Sequence, residues 1–129
     1  MRAAIYSLLR EDEVLRGLGV EKVYASPGID TPKEQFFLVM RWLDSAPAFQ
    51  LVGTRDLQVW VHKKDMDYFL MGMVIQRIKE LMTSTTHLQG SDGVFRQAAW
   101  TGDSGDLRDD GFRTFTQHAG FRCNGGTNG

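Results

Sequence analysis

Seven of the eight residues from Phe36 to Leu43 are apolar and fall on both alternating sides, and this restricts what the chain can become. Strand side chains alternate, which puts Phe36, Leu38, Met40 and Trp42 on one face and Phe37, Val39 and Leu43 on the other. Such a strand belongs in the middle of a sheet covered on both sides, or else offers its second face to another subunit. A length of 129 residues suits one domain, and a domain of that size buries roughly two-thirds of its unfolded surface. The one cysteine, Cys123, excludes an intrachain disulfide framework. Cohesion must come from apolar packing.

The flanking segments supply the rest of the sheet and its cover. Ile5, Leu8, Leu9 and Leu15 repeat at helical spacing, with Asp12 placed to start a second short helix that stops at Gly17 or Gly19. Residues 20–24 read as a short strand. Two prolines, Pro27 and Pro32, then mark a loop. Residues 55–63 alternate cleanly, Leu57, Val59 and Val61 against Gln58, Trp60 and His62. Asp65 is expected to cap a helix over residues 66–82, with Phe69/Leu70, Met73/Val74, Ile78 and Leu81 as its buried stripe. Met66, Met71 and Ile75 widen that arc beyond one packed face. Two further strands are expected at residues 94–101 and 112–123, and a connecting loop at 44–54. The expected fold is α+β: a mostly antiparallel sheet of four to five strands, with an N-terminal helix and one long central helix packed on it, in α-β-β-β-α-β-β order. One domain is expected over residues 1–123, and the Asn/Gly/Thr stretch 124–129 reads as a disordered end.

Charge and motifs exclude more than they nominate. Fifteen Lys+Arg stand against 16 Asp+Glu, whereas a chain that grips phosphate is normally basic. No apolar run reaches the ~18–20 residues of a membrane span, and Glu11, Asp12 and Glu13 interrupt the start too early for a secretory signal. The expectation is a soluble protein of a reducing compartment, with no membrane partner. His62, His87 and His118 share no ligand spacing with one another or with Cys123, so no metal and no cofactor is expected. Asp103, Asp106, Asp109 and Asp110 crowd one loop, yet the calcium-loop spacing and its bidentate Glu are missing. A solvated acidic loop, or one that docks a basic partner, fits better. There is no nucleophile elbow and no phosphate-cradling glycine loop, so no enzyme is nominated. A small metal-dependent enzyme using the histidines and the acidic loop is the competing reading from another class.

What is in surplus is apolar surface on strands. Trp42, Trp60 and Trp100 all fall on expected strands, and aromatic, methionine and arginine side chains are enriched at protein interfaces. A structural oligomer accounts for that surplus.

The layout resembles the tail terminator (tail completion) proteins of long-tailed bacteriophages. The resemblance is carried by the opening Ala4-Ile5-Tyr6-Ser7-Leu8-Leu9, then Asp12-Glu13-Val14-Leu15 and Val23-Tyr24, the hydrophobic strand at Phe36–Trp42, and Leu57-Gln58-Val59-Trp60-Val61 followed directly by the long helix. It closes with Asp110-Gly111-Phe112-Arg113-Thr114 leading into Ala119-Gly120-Phe121-Arg122. The resemblance implies a virion structural protein, assembled in the host cytoplasm, that forms a homohexameric ring at the head-proximal end of the tail. Such a ring stops polymerisation of the tail tube protein and receives the head completion (stopper) protein, while genomic DNA passes through the lumen without sequence-specific binding. Another neck component, a head–tail connector or stopper, is the alternative of the same class. The ring contact is expected at Phe36, Leu38, Met40 and Trp42 with Trp60, and the docking loop at Asp103, Asp106, Asp109 and Asp110. A ring of identical subunits needs unlike patches meeting head to tail. A near-neutral chain also suits a lumen through which DNA must slide.

Overall fold

The computed structural model describes residues 1–28, 31–43 and 53–126; most of the expected 44–54 loop and residues 127–129 lie outside them. The elements are α1 (Arg2–Arg10), α2 (Glu13–Gly17), β1 (Lys22–Tyr24), β2 (Phe36–Leu43), β3 (Thr54–Lys63), α3 (Tyr68–Ser84), β4 (Leu88–Gly90), β5 (Gly93–Asp103), β6 (Leu107–Asp109) and β7 (Thr114–Gly126). The fold is α+β around one seven-stranded sheet in the order β1-β2-β3-β7-β5-β4, with β6 paired to β7.

That sheet differs from the expected one in two ways. It is mixed, because β1 runs parallel to β2 while every other pair is antiparallel. The connection over residues 25–35 is much longer than a hairpin turn, which lets the chain re-enter from the same end. It also has seven strands rather than four or five. The additional β4 and β6 have three residues each, too few to leave a periodic signal. The long strand β7 begins at Thr114 rather than residue 112, because Arg113 takes a positive φ of 54° in the preceding turn. Its length follows from its partners: β3 lies along one side, while β6 and then β5 share the other. Asn124, Gly125 and Gly126, expected to open a disordered end, instead pair with β3 and β5.

The helices start where a carboxylate can cap them. Asp12 accepts from the Leu15 amide at 3.0 Å and starts α2 as expected. The same carboxylate takes both Arg77 Nε (3.0 Å) and Nη2 (2.7 Å), clamping α2 to the middle of α3. The Arg77 guanidinium, helped by the Leu15 amide, holds the Asp12 carboxyl below its usual range against the opposing effect of burial. For α3 the cap is Asp67, which accepts from Leu70 N at 3.1 Å, and not Asp65.

The three helices of the described residues cover one face of the sheet. The register sets Leu38 opposite Val61, Met40 opposite Val59 and Trp42 opposite Leu57, then Leu57 opposite Phe121 and Val59 opposite Ala119. These residues form one core with Ile5, Leu9, Leu15, Val74, Ile78 and Met82 from the helices. The buried arc of α3 is Met71, Val74, Ile75, Ile78, Leu81 and Met82. Phe69 and Met73, expected on that arc, are exposed. The N-terminal half of the helix is apolar nearly all round, so spacing alone allowed two overlapping stripes, and the sheet selects the other one.

Helix α1 lies so close to β4 that a Cβ on Gly90 would fall 2.6 Å from the Ala4 amide nitrogen. Gly90→Ala is therefore expected to push the helix outward and cost about 1–3 kcal/mol, the usual range for overpacking. A thermal melt checks this; an unchanged midpoint would contradict the seating of α1.

Candidate functional site

The second apolar face of β2 is closed, at its N-terminal end, by the chain's own side chains. Phe37 is fully buried: His62 stacks on it at 4.8 Å, Tyr24 meets it edge-on at 5.7 Å, and Phe112 approaches at 6.0 Å. The Tyr24 hydroxyl donates to Glu34 at 2.6 Å. Burial and the Glu34 carboxylate push that phenol up to about 12, so it remains a donor.

Further along this helix-free face lie His62, Trp60 and His118. The His62 Nδ1 is 2.8 Å from Thr114 Oγ1, and burial pushes its pKa down to about 4 despite Asp109. The His118 ring sits 4.0 Å from the Trp60 ring, also with a pKa lowered by burial, while the Trp60 indole N–H donates to Gln58 at 3.0 Å. Among the described residues no group of three or more His, Cys, Asp or Glu is arranged to hold a metal ion. Cys123 is buried, and burial pushes its thiol up to about 12, which keeps it protonated and unreactive. No helix among the described residues is long and apolar enough to cross a membrane.

The residues nominated for subunit contact do not share one surface. Phe36, Leu38 and Met40 point into the helix-covered core, each at most 3% exposed, and cannot touch a neighbour in the folded chain. The physical reason is that the three helices occupy that face. Trp42 lies on the same face, partly buried, with the Arg2 guanidinium 5.3 Å from its ring. Trp60 is on the opposite face, across from Val39 in register, and is partly exposed.

The four acids are spread along the β5–β6 segment beside β7, with Asp103 opposite Ala119 and Asp109 opposite Thr114, and three of them build the local structure. Asp103 takes Lys79 at 3.1 Å and the Trp100 indole N–H at 2.8 Å. Asp106 accepts from the Gln117 amide at 2.7 Å, and Asp109 accepts from the backbone of Gly111 and Phe112. Asp110 projects into solvent, 3.6 Å from Arg108. The loop is thus a built turn around β6 with an acidic outer surface.

A third surface was not nominated from the sequence. Phe69 and Met73 lie on the outer side of α3 and Met66 just ahead of its cap, all three exposed, with Phe69 at 82%. Contiguous exposed apolar side chains of this kind mark contact sites on soluble proteins. The signal was the apolar arc wider than one packed face; what it lacked was the choice of which stripe the sheet would cover.

No family model matches the chain, and no curated protein matches it. Among solved structures, it is similar to a chain in the virion of a native gene transfer agent (GTA) particle, at 19% identity and a TM-score of 0.73, covering 97% of this chain and 93% of that one. At that identity the likeness is one of fold, and it extends over nearly the whole length of both chains: this α+β domain is folded like a component of a gene transfer agent virion.

Proposed function

We propose that this chain is a non-enzymatic virion structural protein, a tail terminator that forms a homohexameric ring at the head-proximal end of a phage tail tube. In this role it stops tube polymerisation, offers a docking surface to the head completion (stopper) protein, and lets genomic DNA pass through the lumen. The observation that carries the reading is the near full-length fold likeness to a gene transfer agent virion component. The chemistry of the side chains supports it: His62 is bonded to Thr114, the Cys123 thiol is held protonated, and Asp103, Asp106 and Asp109 are spent on bonds within the chain. A formal charge of −1 gives the lumen no strong hold on phosphate.

Electron microscopy of the purified protein tests the reading. Six-fold rings are expected, and adding the protein to elongating tail tubes should stop their growth. Twelve-fold rings would favour the neighbouring neck component instead. A protein that stays monomeric at tens of micromolar and leaves tube growth unchanged overturns the proposal.

A further inference from the structure

The chain carries one cysteine and six methionines, and sulfur is what peroxides attack first in a protein. The fold closes the cysteine to them. Cys123 is fully buried and its thiol is held protonated, whereas the thiolate is the reactive form. The fold also closes most of the methionines. Met40, Met71 and Met82 belong to the core, each at most 1% exposed. Met1 is packed against the same core, its Sδ 2.7 Å from the point where a Cβ on Gly125 would stand.

Two thioethers remain open. Met66 is 69% exposed just ahead of the Asp67 cap, and Met73 is 45% exposed on α3. Met71 and Met73 stand two positions apart, roughly 200° around a helix of 3.6 residues per turn, so the sheet that buries the first leaves the second outside. Met73 follows Phe69 by four residues, which sets the thioether beside the exposed ring on one helical face. The accessible sulfur of the chain is thus concentrated on its exposed apolar stripe.

We propose that Met66 and Met73 form a paired oxidation site, through which hydrogen peroxide turns the apolar stripe of α3 into a polar one. The sulfur lone pair attacks one peroxide oxygen. An S–O bond forms as the O–O bond breaks, the sulfur loses two electrons, and the other oxygen leaves as water with both peroxide protons. The flexible apolar side chain becomes a polar sulfoxide, so the stripe loses the character by which such surfaces make contacts. The buried methionines keep the core intact, and sulfoxide reductases reverse the change. This chemistry requires only the folded chain, with or without a ring.

Graded hydrogen peroxide, applied to the purified wild type and to the double variant Met66→Leu/Met73→Leu, tests it. Leucine keeps the stripe apolar and removes the sulfur. Peptide mass mapping of the wild type should find one added oxygen on Met66 and one on Met73 before any other residue gains one. The oxidised chain should elute earlier from a phenyl column with its thermal midpoint unchanged, and methionine sulfoxide reductases should restore both mass and elution. The variant should gain no oxygen at the same dose and elute alike before and after treatment. A first oxygen at Met1, Met40, Met71, Met82 or Cys123 overturns the choice of site. Oxidation of Met66 and Met73 that leaves the elution unchanged overturns the conversion of the stripe.

Discussion

Replacing Phe121 with alanine is expected to remove about 3–5 kcal/mol of stability, the range for deleting a fully buried aromatic side chain. Phe121 is completely buried on β7, the strand between β3 and β5, with Leu57 and Trp100 opposite it in register. Both neighbours are held by ladder hydrogen bonds, so the strands cannot close in on the vacated volume as a loop would. A domain of this size has a net stability of about 5–15 kcal/mol, so the variant should lose a large share of it. Urea unfolding measures the change as a lower midpoint with the slope preserved. A loss below about 1 kcal/mol, the typical effect of an average substitution, would mean that Phe121 does not sit at the centre of the core.

Acidification from neutral pH is expected to weaken the fold well before the carboxylates titrate. His62 is 3% exposed, between Phe37 and Phe112 and bonded to Thr114, and burial lowers its pKa from 6.5 to about 4. Above pH 6.5 the ring is neutral in the folded and unfolded chains, and its contribution is fully present. As pH falls from there toward 4, the unfolded chain takes up a proton that the native state refuses, so stability drops. Each pH unit in that window removes about 1.4 kcal/mol, or about 3 kcal/mol across it. His118, also lowered by burial, acts in the same direction. The lowered carboxylates Asp12 and Glu34 stabilise above the ordinary carboxylate range and lose that contribution only at more acidic pH. Chemical unfolding at a series of pH values should show the decline, and His62→Gln should remove at least half of its slope. A wild-type curve that stays flat from pH 7 to about 4.5 is the contrary result, since one buried imidazole alone demands the loss.

The acidic segment shows how far a sequence pattern reaches. Four aspartates within eight residues suggested a charged loop free to meet a partner. The structure spends Asp103 on Lys79 and Trp100, Asp106 on Gln117 and Asp109 on two backbone amides, leaving Asp110 outermost. Those partners come from β5, β7, α3 and the turn itself, and no spacing rule brings them all together. The long helix teaches the same point with apolar residues, since Phe69 and Met71 fit a helical stripe equally well.

Local features were set by the sequence itself. The limits of β2, the break between α1 and α2 and the Asp12 cap depend on residues within a few positions of each other, where backbone geometry and short-range hydrogen bonding decide. The α+β class followed from the periods alone. Only the tertiary structure decided which face of β2 the helices cover, that Tyr24, His62 and Phe112 close over Phe37, and that Phe69 is left outside. Alternation sorts side chains into two faces but does not say which layer each will meet. That choice belongs to segments far apart in the chain, and it is made when their packing is settled together.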